Sequence, residues 1–403
     1  MCRESRRRVS ESIDEAQSLP STDLIEAPVS RSPLIFEVQG LTDVGREREH
    51  NEDNFVVADL SRGVRGGPES HGASVVLGGH GMILAVCDGM GGAAAGEVAS
   101  QMAIDVIHQH VVDGLPPELS LTRDDIARRL VRAVEEAGFR IFEAARADRS
   151  RRGMGTTATA AALVDEVLFL AQVGDSRAYV LRDERLVQVT RDQSLVNQLI
   201  EAGQLTEEEA ETFEHNNIIL QALGTSDHVQ VDLTYAELRA GDRVMLCSDG
   251  LSGMIRNEEI RKILVAATTP AEASRILIER ANAAGGHDNI TVVVAFFDGG
   301  GLRPVSPSDL PLAYRKYALP EVEETMTLAG SGIMAAAADA FSLGTTAERL
   351  RSTPRMQTGV FAAIPIPAPS SEPQPREPLP RSILALLVAS IIALMAAVIY
   401  SRR

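Results

Sequence analysis

The feature that most constrains this chain is a repeated local pattern: a short apolar run meets a carboxylate that sits beside Gly, Ser or Asn. Ile83–Cys87 runs into Asp88-Gly89, and Val167–Val173 runs into Gly174-Asp175-Ser176. Arg243–Cys247 runs into Ser248-Asp249-Gly250, and Asp288 precedes the β-branched run Asn289–Phe297. Glu52-Asp53 precede the strand-like Phe55-Val-Val-Ala. Such runs, bounded by turn residues, read as strands. A single Asp-Gly is explained by a turn. Several carboxylates at strand ends are harder to place, because each is partly desolvated there and costly alone. Gathered together they repel unless a cation neutralises them, and an all-oxygen set suits Mg²⁺ or Mn²⁺ rather than zinc. Spacing alone leaves two readings open, separate turns or one shared cation site.

Hydrophobic patterning extends from Leu34 to about Phe297. Within it, Val167–Val173 and Arg177–Leu181 flank a turn as a hairpin, and apolar spacing predicts helices over 94–112, 123–147, 193–202 and 270–284. The first two helices follow one another without an intervening strand. That order favours an α+β fold over a doubly wound sheet. Residues 1–33 are polar without a period and read as a disordered tail. Residues 299–381 hold most of the 19 prolines and read as an extended Pro-rich linker. From Ile383 to Tyr400 the chain carries no charge. As a helix this run is about 27 Å long, close to the hydrocarbon thickness of a bilayer. The expected organisation is a tail over 1–33, one domain over 34–298, a linker over 299–381 and a transmembrane helix over 382–401. With no apolar signal region near the N-terminus, the expected topology is a single-pass tail anchor in the cell membrane with the domain in the cytoplasm. Arg residues flank both ends of the span, so the positive-inside rule gives little orientation.

Composition excludes some partners. Of 403 residues, 39 are Lys or Arg and 56 Asp or Glu, a net charge of −17. Aromatic residues make up 4% and Trp is absent. A chain so acidic and so poor in stacking side chains is not expected to bind nucleic acid. Cys2, Cys87 and Cys247 make no disulfide framework and no CxxC pair, and Cys87 and Cys247 lie in apolar runs as core residues. Neither Cys87 nor Cys247 stands in a Cys-x5-Arg phosphate loop.

Six segments taken in order resemble the bacterial PP2C-type (PPM) metal-dependent Ser/Thr protein phosphatases. They are Thr42-Asp-Val-Gly with Arg48 and Asn51-Glu-Asp53, Val86-Cys-Asp-Gly-Met-Gly-Gly92, Met154-Gly-Thr-Thr-Ala158, Val173-Gly-Asp-Ser-Arg177, Cys247-Ser-Asp-Gly-Leu251 and Gly286-His-Asp-Asn-Ile290. Together they cover about residues 36–297. The resemblance implies a central antiparallel β-sandwich flanked by helices (αββα), with metals in a cleft at one end. It implies that Asp88 bridges two Mn²⁺ or Mg²⁺ ions, that the Gly89 carbonyl completes one of them, and that Asp249 and Asp288 are further ligands. Asp175 resembles the ligand of a third, weaker metal. Glu52 and Asp53 resemble groups that hold metal-bound waters, and Arg48 resembles the phosphate-binding arginine, whose planar fork suits that task. The implied activity is hydrolysis of phosphoserine and phosphothreonine by a metal-activated water without a phospho-enzyme. The implied partners are phosphoproteins, membrane Ser/Thr kinases among them, acted on by a monomeric catalytic domain. The alternative is a catalytically weak phospho-binding membrane scaffold. A calcineurin-like metallophosphatase would need Asp-x-His and Gly-Asn-His-Glu, which are missing.

Some features depart from the family or read as structural. Met90 stands where eukaryotic relatives carry His, so the acid that protonates the leaving group is unassigned. His50 reads as an exposed loop residue and His287 as one that orients Asp288. Thr156 and Thr157 read as packing and hydrogen-bonding groups near the site, and Arg177 as half of an ion pair. Residues 61–81 read as a Gly-rich surface loop. The stretch Asp192–Gly224 resembles the family's flap, its Thr206-Glu-Glu-Glu being a solvated helix start.

Overall fold

The computed structural model describes residues 33–66, 74–78, 80–91, 95–113, 115, 122–210, 213 and 218–320. The predicted N-terminal tail up to residue 32, the linker beyond residue 320 and the predicted membrane helix lie outside the described residues. Among the described residues no helix is long and apolar enough to cross a membrane.

Among the described residues thirteen strands form two sheets. They are β1 (Ile35–Asp43), β2 (Asp53–Asp59), β3 (Val64–Gly66), β4 (Ser74–Val76), β5 (Met82–Met90), β6 (Gly155–Thr156), β7 (Ala158–Val164), β8 (Val167–Val173), β9 (Arg177–Arg182), β10 (Arg185–Gln188), β11 (Asp232–Glu237), β12 (Arg243–Cys247) and β13 (Ile290–Phe296). One sheet runs β10-β9-β12-β13-β1-β4; the other runs β11-β8-β7-β5-β2-β3, with β6 paired to β5. Every paired neighbour is antiparallel. The helices are α1 (Ala95–Val112), α2 (Arg123–Ala147), α3 (Leu195–Glu201), α4 (Glu207–Ala210), α5 (Asp249–Ser252), α6 (Asn257–Ala266) and α7 (Pro270–Ala283).

Three apolar layers hold the sandwich together. Leu84, Val86, Leu168, Val180, Leu246 and Val293 pack between the sheets. Ala160, Ala162 and Phe169 face Ile104, Ile107, Leu130 and Val134 of α1 and α2. Met245, Val292 and Val294 face Ile260, Leu264 and Leu277 of α6 and α7. Central strands are therefore buried on both faces, which is why β7, β8 and β13 are apolar but for Thr159, Gln172 and Thr291 rather than alternating. α2 begins on a capping box in which Thr122 and Asp125 exchange hydrogen bonds.

Helices predicted over 94–112, 123–147, 193–202 and 270–284 are present within a residue or two. Three expectations need correction. The strand predicted to end at Cys87 continues to Met90, because Asp88 pairs with Asp53 and Gly89 with Thr156. The stretch 61–81 is not wholly loop, since β3 and β4 form there as edge strands of the two sheets. Residues 299–320, which fall in the predicted linker, run along the domain as a strap. Tyr235 donates to the Arg315 carbonyl at 3.1 Å and Tyr317 to the Leu233 carbonyl at 2.8 Å, so the strap covers the free edge of β11. Tyr317 packs edge-on to Phe169, ring centres 4.9 Å apart, and its hydroxyl donates to Asp124 at 2.5 Å.

Candidate active site

Antiparallel pairing puts the carboxylates at one end of the sandwich. Asp53 opens β2 directly across from Asp88 near the end of β5. Asp175 follows β8, Asp249 follows β12, and Asp288 precedes β13. The two sheets are joined at this end by side chains. The Ser248 hydroxyl donates to Asp53 Oδ2 at 2.7 Å and accepts from the Thr291 amide at 3.0 Å. Asn289 accepts from the Glu52 amide at 2.7 Å and donates to the Val44 and His50 carbonyls, both at 2.9 Å. One buried carboxamide thus fixes both ends of the 44–52 loop, which carries Arg48.

Two glycines are required by this geometry. A Cβ on Gly89 would lie 2.3 Å from the Gly96 carbonyl oxygen and 2.5 Å from that of Glu52, so glycine lets α1 approach β5. Gly45 has φ +83°, and a Cβ there would meet the Asp288 carbonyl oxygen at 2.2 Å.

Burial and mutual repulsion act on the carboxylates together. Burial pushes Asp53 up to about 7 against the opposing hydrogen bonds of Ser248 and Thr291, with Asp249 and Asp288 adding to the rise. Burial, then Asp249, raises Asp175 to about 7. Asp88 is driven well above the usual carboxylate range by burial and by Asp53, Asp249 and Asp175. Asp249 is also raised, by burial first. Partial burial raises Glu52, with Arg48 pulling the other way. Asp88 feels Asp53, Asp249 and Asp175, and Asp53 and Asp249 both feel Asp288, so these strand ends share one region of negative charge.

Arg48 reaches the same place: its Nη2 lies 2.6 Å from Asp288 Oδ2, with the guanidinium half exposed. Thr157 Oγ1 accepts from the Asp88 amide at 3.0 Å, and Thr156 Oγ1 donates to the Asp88 carbonyl at 2.8 Å, so both threonines hold the metal-candidate strand as expected. Arg177 forks onto Asp192 at 2.7–3.1 Å, an ion pair rather than a phosphate contact. His50 is an exposed loop residue. His287 does not touch Asp288 through any described hydrogen bond; its Nδ1 lies 2.5 Å from Glu47. Cys87 and Cys247 are buried, and burial lifts Cys247 to about 12, so neither is a nucleophile. Thr206 and Glu209 exchange hydrogen bonds at the start of α4, as a helix start requires.

Among the described residues no group of three or more His, Cys, Asp or Glu side chains is drawn together tightly enough to chelate an ion as it stands. The donor chemistry nevertheless fits a hard cation. Asp53 Oδ1, Asp175 Oδ1 and Asp249 Oδ1 are buried with no hydrogen-bond partner. Unsatisfied buried carboxylate oxygens from three separate strand ends form a demand that hydrogen bonding in the fold leaves unmet.

Sequence reasoning missed Ser248 and Asn289 as positioning groups. Their only signal was adjacency to Asp249 and Asp288; the partners they hold lie in the other sheet or in the Arg48 loop.

Comparison with known proteins agrees with the fold. The family model described as Protein phosphatase 2C matches residues 70–283. The chain is 36% identical over 253 residues to the serine/threonine phosphatase Stp of Listeria monocytogenes, spanning 63% of this chain and 92% of that one. It is 38% identical over 259 residues to the protein phosphatase PhpP of Streptococcus pneumoniae, spanning 64% and 96%. Among solved structures, the catalytic domain of the serine/threonine protein phosphatase PstP in complex with two manganese ions matches with a TM-score of 0.53 at 36% identity. That match covers 65% of this chain and 98% of that one. The shared family model, these relatives and the paired sheets with carboxylates at one end agree: the chain belongs to the protein phosphatase 2C family and is a protein serine/threonine phosphatase.

Proposed function

We propose that this phosphatase hydrolyses phosphoserine and phosphothreonine in proteins using two Mn²⁺ or Mg²⁺ ions, with a third in a weaker site. Asp88, the Gly89 carbonyl, Asp249 and Asp288 would hold the pair, and Asp175 the third. The observation that carries this reading is the set of unpartnered buried oxygens on Asp53, Asp175 and Asp249. When bound, the ions supply a water acidified enough to attack phosphorus near neutral pH.

The chain's own groups do the rest. Arg48, half exposed beside Asp288, offers a fork of N–H donors to the phosphoryl oxygens, and its charge offsets theirs as the phosphorus is attacked. Asp53, held by Ser248, and Glu52, held through its amide by Asn289, orient water at the mouth of β2. Thr156 and Thr157 fix the backbone of Asp88 from both sides. Asp53 and Asp88 lie on paired strands and Asp175, Asp249 and Asp288 lie directly at strand ends, which keeps the donors in place between turnovers.

Sequence composition supports a further part of this proposal. The uncharged run Ile383–Tyr400 would anchor the enzyme in the cell membrane with the phosphatase domain on the cytoplasmic side. Confinement to that surface raises its effective concentration toward membrane Ser/Thr kinases as substrates.

The test is hydrolysis of a phosphothreonine peptide by the purified full-length chain, with Mn²⁺, with EDTA, and with Asp249→Ala. Turnover that needs the metal and is lost in the variant is expected. Undiminished turnover after chelation would overturn the metal reading. Membrane flotation of the chain with and without residues 382–401 tests the anchor.

A further inference from the structure

The strap beyond β13 reaches more than the edge of β11. Tyr314 places its ring under the Arg191 guanidinium, 4.2 Å from carbon to ring centre, and its hydroxyl donates to Asp232 at 2.6 Å. Lys316 holds the other oxygen of Asp232 at 3.0 Å. Arg191 then turns to Glu201 at the end of α3, with Nε 3.1 Å from the carboxylate. Arg191 is thus shared between the strap and the 192–224 segment.

That segment is rooted in the active site at both ends. At its start, the Gln193 amide donates to the Gly174 carbonyl and the Gly174 amide to Gln193 Oε1, beside Asp175. At its end, Leu223 exchanges backbone hydrogen bonds with Thr156, the residue whose hydroxyl holds the Asp88 carbonyl. Between these roots, Ser194 bridges to Ile219, and Ile218 and Leu220 are exposed. α3 has seven residues and none is buried. A helix so short is not stable by propensity, and this one has no core face to hold it. Its support is polar: the Ser194 cap, the bond from Asn197 to the Asp192 carbonyl, and the Arg191–Glu201 pair. Tyr314 orders the arginine of that pair before α3 uses it.

We infer that Tyr314 and Arg191 are positioning residues for phosphoprotein substrates: the strap holds α3 at the rim of the carboxylate cleft, where the polypeptide around a phosphorylated side chain must lie. The inference rests on the phosphatase reading above. A small aryl phosphate needs only the cleft and Arg48, whereas a phosphopeptide also meets the rim. Loss of the strap contact therefore weakens peptide use and spares the small ester.

The experiment uses the full chain with Mn²⁺ and two substrates, a phosphothreonine peptide and p-nitrophenyl phosphate. Tyr314→Ala is expected to raise the peptide KM about three- to fivefold, the ratio one exposed cation–π contact commands, with kcat little changed. The KM for p-nitrophenyl phosphate should stay within about twofold, a shift too small for the loss of a cation–π contact at the site itself. Tyr314→Phe keeps the ring under Arg191 and should restore the peptide KM. Arg191→Gln, at an exposed position, should match or exceed Tyr314→Ala, and the double variant should be no worse than Arg191→Gln alone. Equal effects on both substrates, no effect on either, or additive effects in the double variant would overturn the inference. Absence of Mn²⁺-dependent turnover in the unaltered chain would instead overturn the phosphatase mechanism, so the two failures are distinguishable.

Discussion

Asn289→Ala should be among the most damaging single changes that remove no candidate metal ligand. The side chain is 3% exposed and satisfies three backbone groups, the Glu52 amide and the Val44 and His50 carbonyls. The two carbonyls belong to exposed loop residues and can turn to water, at about 0.5–1 kcal/mol each. The Glu52 amide lies between β2 and α1 and loses its partner at about 1–2 kcal/mol. The sum is about 2–4 kcal/mol, which for a domain of this size lowers Tm by about 3–7 °C. The functional cost follows from the loop it releases. Arg48 and Glu52 sit on that loop, and a displacement of about 1 Å in a positioning group can cost about 100-fold in rate. Melting of the metal-free protein and kcat/KM on a phosphothreonine peptide measure the two effects separately. Asn289→Asp keeps an acceptor for Glu52 but loses both donor bonds and adds a charge beside Asp288, so it should melt low and bind metal differently. If Asn289→Ala melts within about 2 °C of the unaltered protein and keeps its kcat/KM, the clamp has been misread.

Other expectations follow from the same contacts. Asp53 and Asp175 hold protons up to about pH 7 in the folded metal-free protein, while the unfolded chain releases them near 3.8. The native state therefore binds more protons across that window, so metal-free stability should fall as pH rises from 4 to 7 in urea titrations, and a flat profile would contradict it. Saturating Mn²⁺ should raise Tm at pH 8, and Asp249→Ala should abolish that rise in a thermal scan. A chain ending at Phe297 loses the partly buried Leu302, Leu312 and Tyr317, about 1 kcal/mol apiece, and should melt about 5 °C below one ending at Pro320. Gly89→Ala should yield little folded protein by circular dichroism, because the added carbon meets backbone oxygens on two sides.

Much of the architecture could be read locally. The runs that became β5, β8, β12 and β13 are apolar because both their faces are covered, the helices α1, α2 and α7 carry their own periodicity, and α2 and α7 carry caps at Thr122 and Thr269. Residues whose partners are distant were not legible in this way. α6 escaped notice because its apolar face is short, and β3 and β4 because edge strands need little hydrophobic patterning of their own. The strap looked like linker since its prolines and charges resemble solvent-exposed chain. Its ordering comes from Tyr314 and Tyr317, which find Arg191, Asp232 and Asp124 only once β11 and α2 are in place.

By itself, the order of residues determined which segments must be strands, that they end on carboxylates, and the family to which those endings belong. Tertiary structure alone decided that Asp53 faces Asp88 across a sheet and that Ser248 joins the two sheets. It alone decided that Asn289 holds the Arg48 loop and that the chain after β13 returns along β11 to Arg191. Apolar periodicity is written into neighbouring residues, whereas a shared electrostatic field and a clamp across 240 positions of sequence exist only after the chain has closed on itself.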